Sequence, residues 1–276
     1  QAVHSSYESD IAMPTLSPQQ VLNHLDRNTY WPHGCGLSVP EAYQHALAVH
    51  ELRVGRGEKP LGFKIGFTNR AHWEPYGVFT PIWGTMYDTT VQLCDGSGEL
   101  DIGGCSEPRL EPEAVFGISA TPPARADLDE LFDCVEWVAP GFEIVQSHMP
   151  GYRFTAADSI ADGGLHGRLL VGARQPVHEM ARSATELNGL LAQNSVALLQ
   201  GDEVKEHGRG ARVLDGPLHA LLHLLQALRD CPGAPDLQAG DLVTTGSWTN
   251  GQPVKPGEQW RAQFDGPLGI IQVRFR

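Results

Sequence analysis

Glu111 and Glu113 are separated by one residue, Pro112, within Glu107-Pro108-Arg109-Leu110-Glu111-Pro112-Glu113-Ala114-Val115-Phe116, where acidic and apolar residues alternate. On an extended strand, side chains repeat every second residue. Both carboxylates therefore face one way, with Pro112 turned to the other side. Two carboxylates on one face repel unless something positive lies between them. A hard divalent cation such as Mg²⁺, Mn²⁺ or Ca²⁺ suits these oxygens. A solvated edge strand blunted by Pro112 is the alternative, and this stretch alone supports both equally. Glu143 adds weight to the cation. It is a lone carboxylate in an apolar strand around Phe142, Ile144 and Val145, and burying it is expensive unless it is paired or coordinated. Lys64, flanked by Gly62 and Gly66, reads either as a partly buried amine with backbone close by or as a surface lysine with a snorkelling stem.

These side chains need strands to hold them, and the surrounding pattern supplies strands with a few helices. Ser17-Pro18 and Ser38 with Pro40 read as capped helix starts, the second running from Glu41 to Arg53 and ending at Gly55 and Gly57. Leu61 to Phe67 reads as a strand, His72 to Asp88 as a long aromatic loop that is either a packed surface loop or one wall of a pocket, and Gly96 to Gly98 as a turn. Val135 to Val145 reads as a strand interrupted at Pro140-Gly141, and Thr155 caps a short helix. Ser195 to Glu206 reads as a hairpin around Gly201-Asp202. Pro217 opens the clearest helix, with Leu218, Leu221, Leu222, Leu225 and Leu228 on its apolar face. Closing strands follow at Asp241–Gly246, Gln259–Phe264 and Gly269–Phe275. Many short strands without regular strand–helix alternation predict an α+β protein with a mostly β core and flanking helices. The expected organisation is a small helical segment over residues 1–60 and a catalytic domain over residues 61–276.

Composition narrows the partners. A formal net charge of −13 argues against a nucleic-acid binder, which needs clustered Lys and Arg, and no apolar run approaches a membrane span. The five cysteines are scattered with no CxxC pair, which fits reduced thiols in a cytoplasmic protein. The twelve histidines are equally scattered. Residues 1–12 lack the basic and apolar regions of a signal peptide, and Met13 reads as a natural start.

Several stretches together resemble the 2-keto-4-pentenoate hydratase and 4-oxalocrotonate decarboxylase group of the fumarylacetoacetate hydrolase superfamily. Gly62 to Thr68 resembles its GxKIGxT signature, Arg109 to Glu113 its metal strand, and Gly141 to Val145 the strand that carries a third carboxylate. Ser159-Ile160-Ala161-Asp162, Gly208 to Ala211 with Gly216-Pro217, Gly240 to Ser247, Val254 to Glu258 and Leu268-Gly269 follow in family order. The resemblance implies a mixed β-roll and Mg²⁺ or Mn²⁺ held by Glu111, Glu113 and Glu143. It also implies functional roles for Lys64 and Asp162. Thr245 and Ser247 are expected to hydrogen-bond the substrate carboxylate. The chain leaves the group's pattern at Thr80-Pro81-Ile82-Trp83-Gly84, at Gln146-Ser147-His148 and at Gly163-Gly164-Leu165-His166. Two acids and an Arg are lost there, while Trp83, His148 and His166 are gained near the presumed pocket. A less charged or more aromatic distal substrate portion is expected, with Trp83 against it. His148 and His166 read either as general acids and bases or as structural histidines.

The chemistry implied is that of a small-molecule 2-oxo acid chelated by a Lewis-acidic cation that stabilises an enolate. A hydratase acting on a 2-hydroxy-2,4-dienoate in aromatic catabolism is the leading expectation. A 2-oxo-enedioate decarboxylase, an acylpyruvate C–C hydrolase and a non-catalytic partner subunit are the alternatives. The resemblance further implies a homo-oligomer able to associate with another enzyme of its pathway.

Overall fold

The structure, a computed structural model, describes residues 14–276; the expectations for residues 1–12 and for Met13 as the start lie outside them. Helices α1 (Pro18–Arg27) and α2 (Val39–Gly55) precede β1 (Pro60–Gly66), and one turn, α3 (Trp73–Tyr76), leads to β2 (Ile82–Tyr87), β3 (Val91–Leu93) and β4 (Ser97–Leu100). Next come β5 (Arg109–Ile118), α4 (Leu128–Phe132), β6 (Val135–Val145), α5 (Ala156–Ala161) and β7 (His166–Val171). The short β8 (Gln175–Pro176) and α6 (Val177–Met180) lead into α7 (Ala184–Gln193). The hairpin β9 (Ser195–Gln200) and β10 (Glu203–Arg209) precedes α8 (Pro217–Asp230), and β11 (Leu242–Ser247), β12 (Gln252–Pro253), β13 (Gln259–Phe264) and β14 (Ile270–Phe275) complete the chain.

Two mixed sheets result. The larger has nine strands along the path β2-β1-β11-β5-β6-β7-β3, with β12 on β5 and β8 on β6; the smaller runs β10-β9-β13-β14-β4. Helices α7 and α8 bury Leu187, Leu191, Leu218, Leu221, Leu225 and Leu228 in the main core, together with Phe116 and Phe142 of the large sheet. A second apolar cluster joins Val21 of α1 and Ala42 of α2 to Ile82 of β2 and to Ala157 and Ile160 of α5. Both long N-terminal helices open with the expected devices. Ser17 with Gln20 and Ser38 with Glu41 form capping boxes, each with Pro in the first turn.

Four local expectations change. The aromatic loop contains β2, which pairs antiparallel with β1 through Lys64↔Gly84 and Ile65↔Trp83, and the turn at Gly96–Gly98 overlaps β4, which pairs parallel with β14. Helix α7 was not anticipated. Its apolar face is built from Ala184, Leu187 and Leu191 and is too sparse to stand out from the surrounding polar residues. Finally, β6 is continuous through Pro140-Gly141. Pro140 lies opposite Ala114 of β5, and its carbonyl accepts from the Gly172 N–H, so only the donor that proline lacks is missing from the ladder.

The acidic strand itself is central, between β11 and β6, which removes the edge-strand reading. A proline in a central strand is unusual. Here β11 shifts register between Thr244 and Ser247, opposite the Pro112 region, and this bulge takes the place of the ladder bond that proline cannot donate.

Candidate metal centre and substrate cleft

Register brings the three carboxylates together. Glu111 and Glu143 are directly opposed across β5 and β6, and Glu113 lies one pleat further along the same face. Like charges directly opposed in a sheet are destabilising, so the arrangement demands a counter-charge. Lys64 supplies part of it from β1: its Nζ lies 2.9 Å from Glu143 Oε1 and 3.1 Å from Oε2. Lys64, Glu113 and Glu143 are all buried, while Glu111 is half-buried and lines the cleft.

The bulge in β11 finishes the floor. Gly246 N–H donates to Glu113 Oε2 at 2.8 Å, and Thr244 Oγ1 donates to the same oxygen. Gly246 has φ +109°, and a Cβ there would fall 2.2 Å from Thr68 Oγ1, so only glycine permits this approach. Gly164 serves Lys64 similarly, because a Cβ there would meet the lysine Cδ at 2.8 Å.

The electrostatics show what is missing. Burial and then the charge of Glu143 push Glu111 up to about 7 from its ordinary 4.5. Burial, Glu143 and Glu111 push Glu113 well above the usual carboxylate range. Burial also opposes the charge on Glu143, but Lys64 and His166 outweigh it and hold Glu143 low. Lys64 is disfavoured by burial yet held above its ordinary range, chiefly by Glu143 and then by Glu111 and Glu113. One ammonium thus faces three carboxylates whose oxygens lie within 4.8 Å of one another. Glu113 Oε1 is buried with no hydrogen-bond partner. An orphaned carboxylate oxygen within an all-oxygen donor set fits a hard divalent cation.

Above this floor opens a cleft of about 390 Å³. Phe67, Tyr76 and Phe154 form one wall as a chain of rings, with centroids 4.9 Å and 5.7 Å apart. Phe67, Tyr152 and Leu165 all line the cleft and all have positive φ, at 54°, 57° and 64°. Such non-glycine conformations cost roughly 1–3 kcal/mol each and gather where surrounding structure forces them, often at functional sites.

The other expected residues lie elsewhere. Trp83 is outside the cleft: it stacks on Tyr43 at 5.1 Å and meets Phe63 edge-on. His148 and Asp162 bind each other, Nδ1 to Oδ1 at 2.7 Å, and neither lines the cleft. His166 stands behind Glu143, with Nδ1 2.9 Å from Glu143 Oε1 and Nε2 3.0 Å from Thr90 Oγ1. Burial keeps His166 below its ordinary pKa, so its neutral ring braces a carboxylate and does not face the cleft. Thr245 donates to the Ala114 carbonyl, and it is Thr244 that reaches Glu113. Ser247 does line the cleft.

Sequence reasoning passed over the arginines of the cleft, Arg109 and Arg212, and, of its aromatic wall, Phe67 and Phe154. Arg109 opens the recognised strand motif, and Arg212 directly follows Gly208 to Ala211, so both had a signal. Tyr76 belongs to the aromatic stretch His72–Asp88, one of whose two readings was a pocket wall, but its partners Phe67 and Phe154 come from separate segments and had no signal.

No family model matches the chain. It is 30% identical over 237 residues to 2-keto-4-pentenoate hydratase 1 of Dechloromonas aromatica (strain RCB), covering 83% of this chain and 84% of that protein. The chain belongs to the 2-keto-4-pentenoate hydratase and 4-oxalocrotonate decarboxylase family. A 4-oxalocrotonate decarboxylase of a Pseudomonas species is 29% identical over 220 residues, 80% of each chain. The solved structure of 4-oxalocrotonate decarboxylase from Pseudomonas putida G7, complexed with magnesium and adipate, shares the fold with a TM-score of 0.82 at 24% identity over 94% of this chain and 95% of that one. A fumarylpyruvate hydrolase from Pseudomonas aeruginosa in complex with Mn²⁺ and pyruvate is a more distant match, with a TM-score of 0.57 at 17% identity over 79% of this chain and 89% of that one. The fold is thus the expected fumarylacetoacetate hydrolase type, with mixed sheets and flanking helices, and the family is one of enzymes.

Proposed function

We propose that this chain is a divalent-metal-dependent lyase that adds water to a 2-hydroxy-2,4-dienoate. The observation that carries this reading is the buried Glu111–Glu113–Glu143 cluster with one lysine at the base of a cleft. In this reading the three glutamates hold Mg²⁺ or Mn²⁺, which when bound supplies Lewis acidity toward the oxygens of a 2-oxo acid. Lys64 Nζ, kept charged by its carboxylate neighbours, donates to a substrate oxygen that gains negative charge and holds the proton that the reaction moves. Ser247 lines the cleft with its hydroxyl donating to the Thr249 carbonyl, and in this reading it turns that donor to the substrate carboxylate when substrate enters. The Phe67–Tyr76–Phe154 wall packs on the conjugated portion and excludes water from that side.

Decarboxylation of a 2-oxo-enedioate is the second reading, supported by the relative of that name at 29% identity. The same site would accept the electrons left when CO₂ departs. No helix among the described residues is long and apolar enough to cross a membrane. All five cysteines are free thiols, which supports the proposal of a cytoplasmic protein. A homo-oligomer is proposed with it, and sedimentation tests that state.

The deciding experiment follows dienoate absorbance, CO₂ and pyruvate together with Mg²⁺- or Mn²⁺-loaded protein. Hydration predicts loss of the dienoate absorbance with neither CO₂ nor pyruvate. Release of CO₂ from an oxo-enedioate selects the second reading, and inertness toward dienoates, oxo-enedioates and acylpyruvates overturns both.

A further inference from the structure

Each of the two fully buried glutamates of the cluster has one oxygen tied to the fold and one left over. On Glu113, Oε2 takes the Gly246 N–H and the Thr244 hydroxyl, while Oε1 has no partner. On Glu143, Oε1 takes two donors, His166 Nδ1 and Lys64 Nζ, each at 2.9 Å. Its Oε2 has only the longer contact to Lys64, at 3.1 Å. Lys64 reaches both oxygens of Glu143 and so barely distinguishes them. His166 separates them, because it binds Oε1 alone.

His166 opens β7, in one of the stretches where the chain leaves its group's pattern. The ring is buried and held at both nitrogens. Its partners fix the tautomer. An ionised carboxylate only accepts, so Nδ1 carries the hydrogen, and in a ring kept neutral by burial Nε2 is then the acceptor. The group facing Nε2 is the Thr90 hydroxyl, 3.0 Å away. That hydroxyl has a second acceptor in reach, the Tyr87 carbonyl at 3.1 Å. The carbonyl is already served by the Thr90 N–H at 2.9 Å, whereas Nε2 has no other donor. Thr90 is itself fixed to β7, since its carbonyl accepts from the Leu169 N–H at 2.9 Å. A line of hydrogen bonds thus runs from Thr90, between β2 and β3, through the ring to one oxygen of Glu143.

The consequence concerns the ion. Ca²⁺ takes a large, flexible oxygen shell and often both oxygens of one carboxylate, whereas Mg²⁺ demands an octahedral shell, takes few carboxylates and keeps several waters. Mn²⁺ shares the octahedral oxygen sites of Mg²⁺. A carboxylate with one oxygen committed to an imidazole N–H has a single oxygen to offer a cation. Two glutamates tied in this way suit the smaller ions.

We propose that His166, aligned by Thr90, is a positioning residue of the metal centre: it commits Glu143 Oε1 to the fold, leaves Oε2 for the cation, and so favours Mg²⁺ and Mn²⁺ over Ca²⁺. The inference rests on the reading of the carboxylate cluster as a cation site, and it holds for either reaction there.

The test is calorimetric titration of Mn²⁺ and, separately, of Ca²⁺ into metal-free protein, with denaturant melts to fix the folded fraction. His166→Ala is expected to weaken Mn²⁺ by about 10–100-fold and Ca²⁺ by far less, so that the preference for Mn²⁺ shrinks. His166→Asn, whose amide N–H stands where the imidazole Nδ1–H does, is expected to restore most of that preference. Thr90→Val is expected to act in the direction of His166→Ala but more weakly, and Thr90→Ser to keep the preference. Equal weakening of both ions by His166→Ala overturns the proposal, since the ring then only fills space behind the cluster. An unchanged Mn²⁺ affinity overturns it as well, and both results leave the cation site itself standing. A second readout, ¹⁵N-histidine NMR of the unsubstituted protein, is expected to show the His166 hydrogen on Nδ1. A ring protonated on Nε2 alone overturns the assignment. If Mn²⁺ does not bind the unsubstituted protein, the cation-site reading falls and the positioning role falls with it.

Discussion

Two buried clusters of titratable groups lie within this fold, and they are built to opposite rules. His148 and Asp162 form a closed pair. Asp162 takes the ring Nδ1 on one oxygen and the His148 backbone N–H on the other, one acid for one base; Asp162 borders a separate pocket of about 50 Å³ and not the cleft above the carboxylates, and His148 Nε2 is buried without a partner. Glu111, Glu113, Glu143 and Lys64 form an open cluster, three acids for one base, with a carboxylate oxygen left unpartnered and a cleft above. Both are buried, so burial does not mark function. Imbalance does, because a fold keeps uncompensated charge inside only where something else arrives to balance it.

The sharpest break of this contrast is Glu113→Gln. It removes a charge from the open cluster, and Mn²⁺ affinity measured by calorimetry is expected to fall by at least about 100-fold, with loss of turnover. Retained affinity would show that the imbalance is not a cation site. Lys64→Met comes next, with Mn²⁺ binding kept and kcat lowered by about 10²–10⁴. A variant that loses metal instead would make Lys64 a scaffold for Glu143.

Asp162→Asn tests the closed pair. It is expected to cost about 3 kcal/mol of stability in denaturant titrations, while Mn²⁺ affinity per folded molecule stays unchanged. A large drop in that affinity would merge the two clusters into one functional unit.

The smallest expected effect is in pH. Folded, metal-free Glu111 keeps its proton up to about pH 7, whereas the unfolded chain releases it near its ordinary 4.5. The folded state therefore binds the extra proton between those values, and stability without metal falls as pH rises through that window. His148 acts in the same direction. Burial opposes its charge, but Asp162 outweighs it and holds the imidazolium above its ordinary 6.5, so its contribution is present below that value and fades as pH climbs past it. Thermal melts with chelator at pH 5.5 and 8 should show the loss, and Mn²⁺ should reverse the Glu111 part, since ligation needs the deprotonated carboxylate.

Much of the site was legible along the chain because strand geometry is local. The period of two placed Glu111 and Glu113 on one face, and the lone acid Glu143 in an apolar strand could not be read as ordinary core. Helix starts at Ser17 and Ser38 were equally local, since a cap and its partner lie three residues apart. The strand Ile82–Tyr87 was hidden because its support is a neighbour far along the chain, β1, and not its own periodicity.

Residue types alone offered either a cation site on Glu111 and Glu113 or a solvated edge strand, with Glu143 tilting toward the cation; the family resemblance added the full donor set, Lys64 and the 2-oxo acid chemistry. Tertiary structure decided which side chains share the cleft with them. Trp83 went to a stack with Tyr43 and His166 to the back of Glu143, while Arg109 and Arg212 came to the cleft. The physical reason is that a strand fixes which face a side chain takes, whereas what stands opposite that face depends on register, on the β11 bulge and on loops that pair only after the sheet has closed.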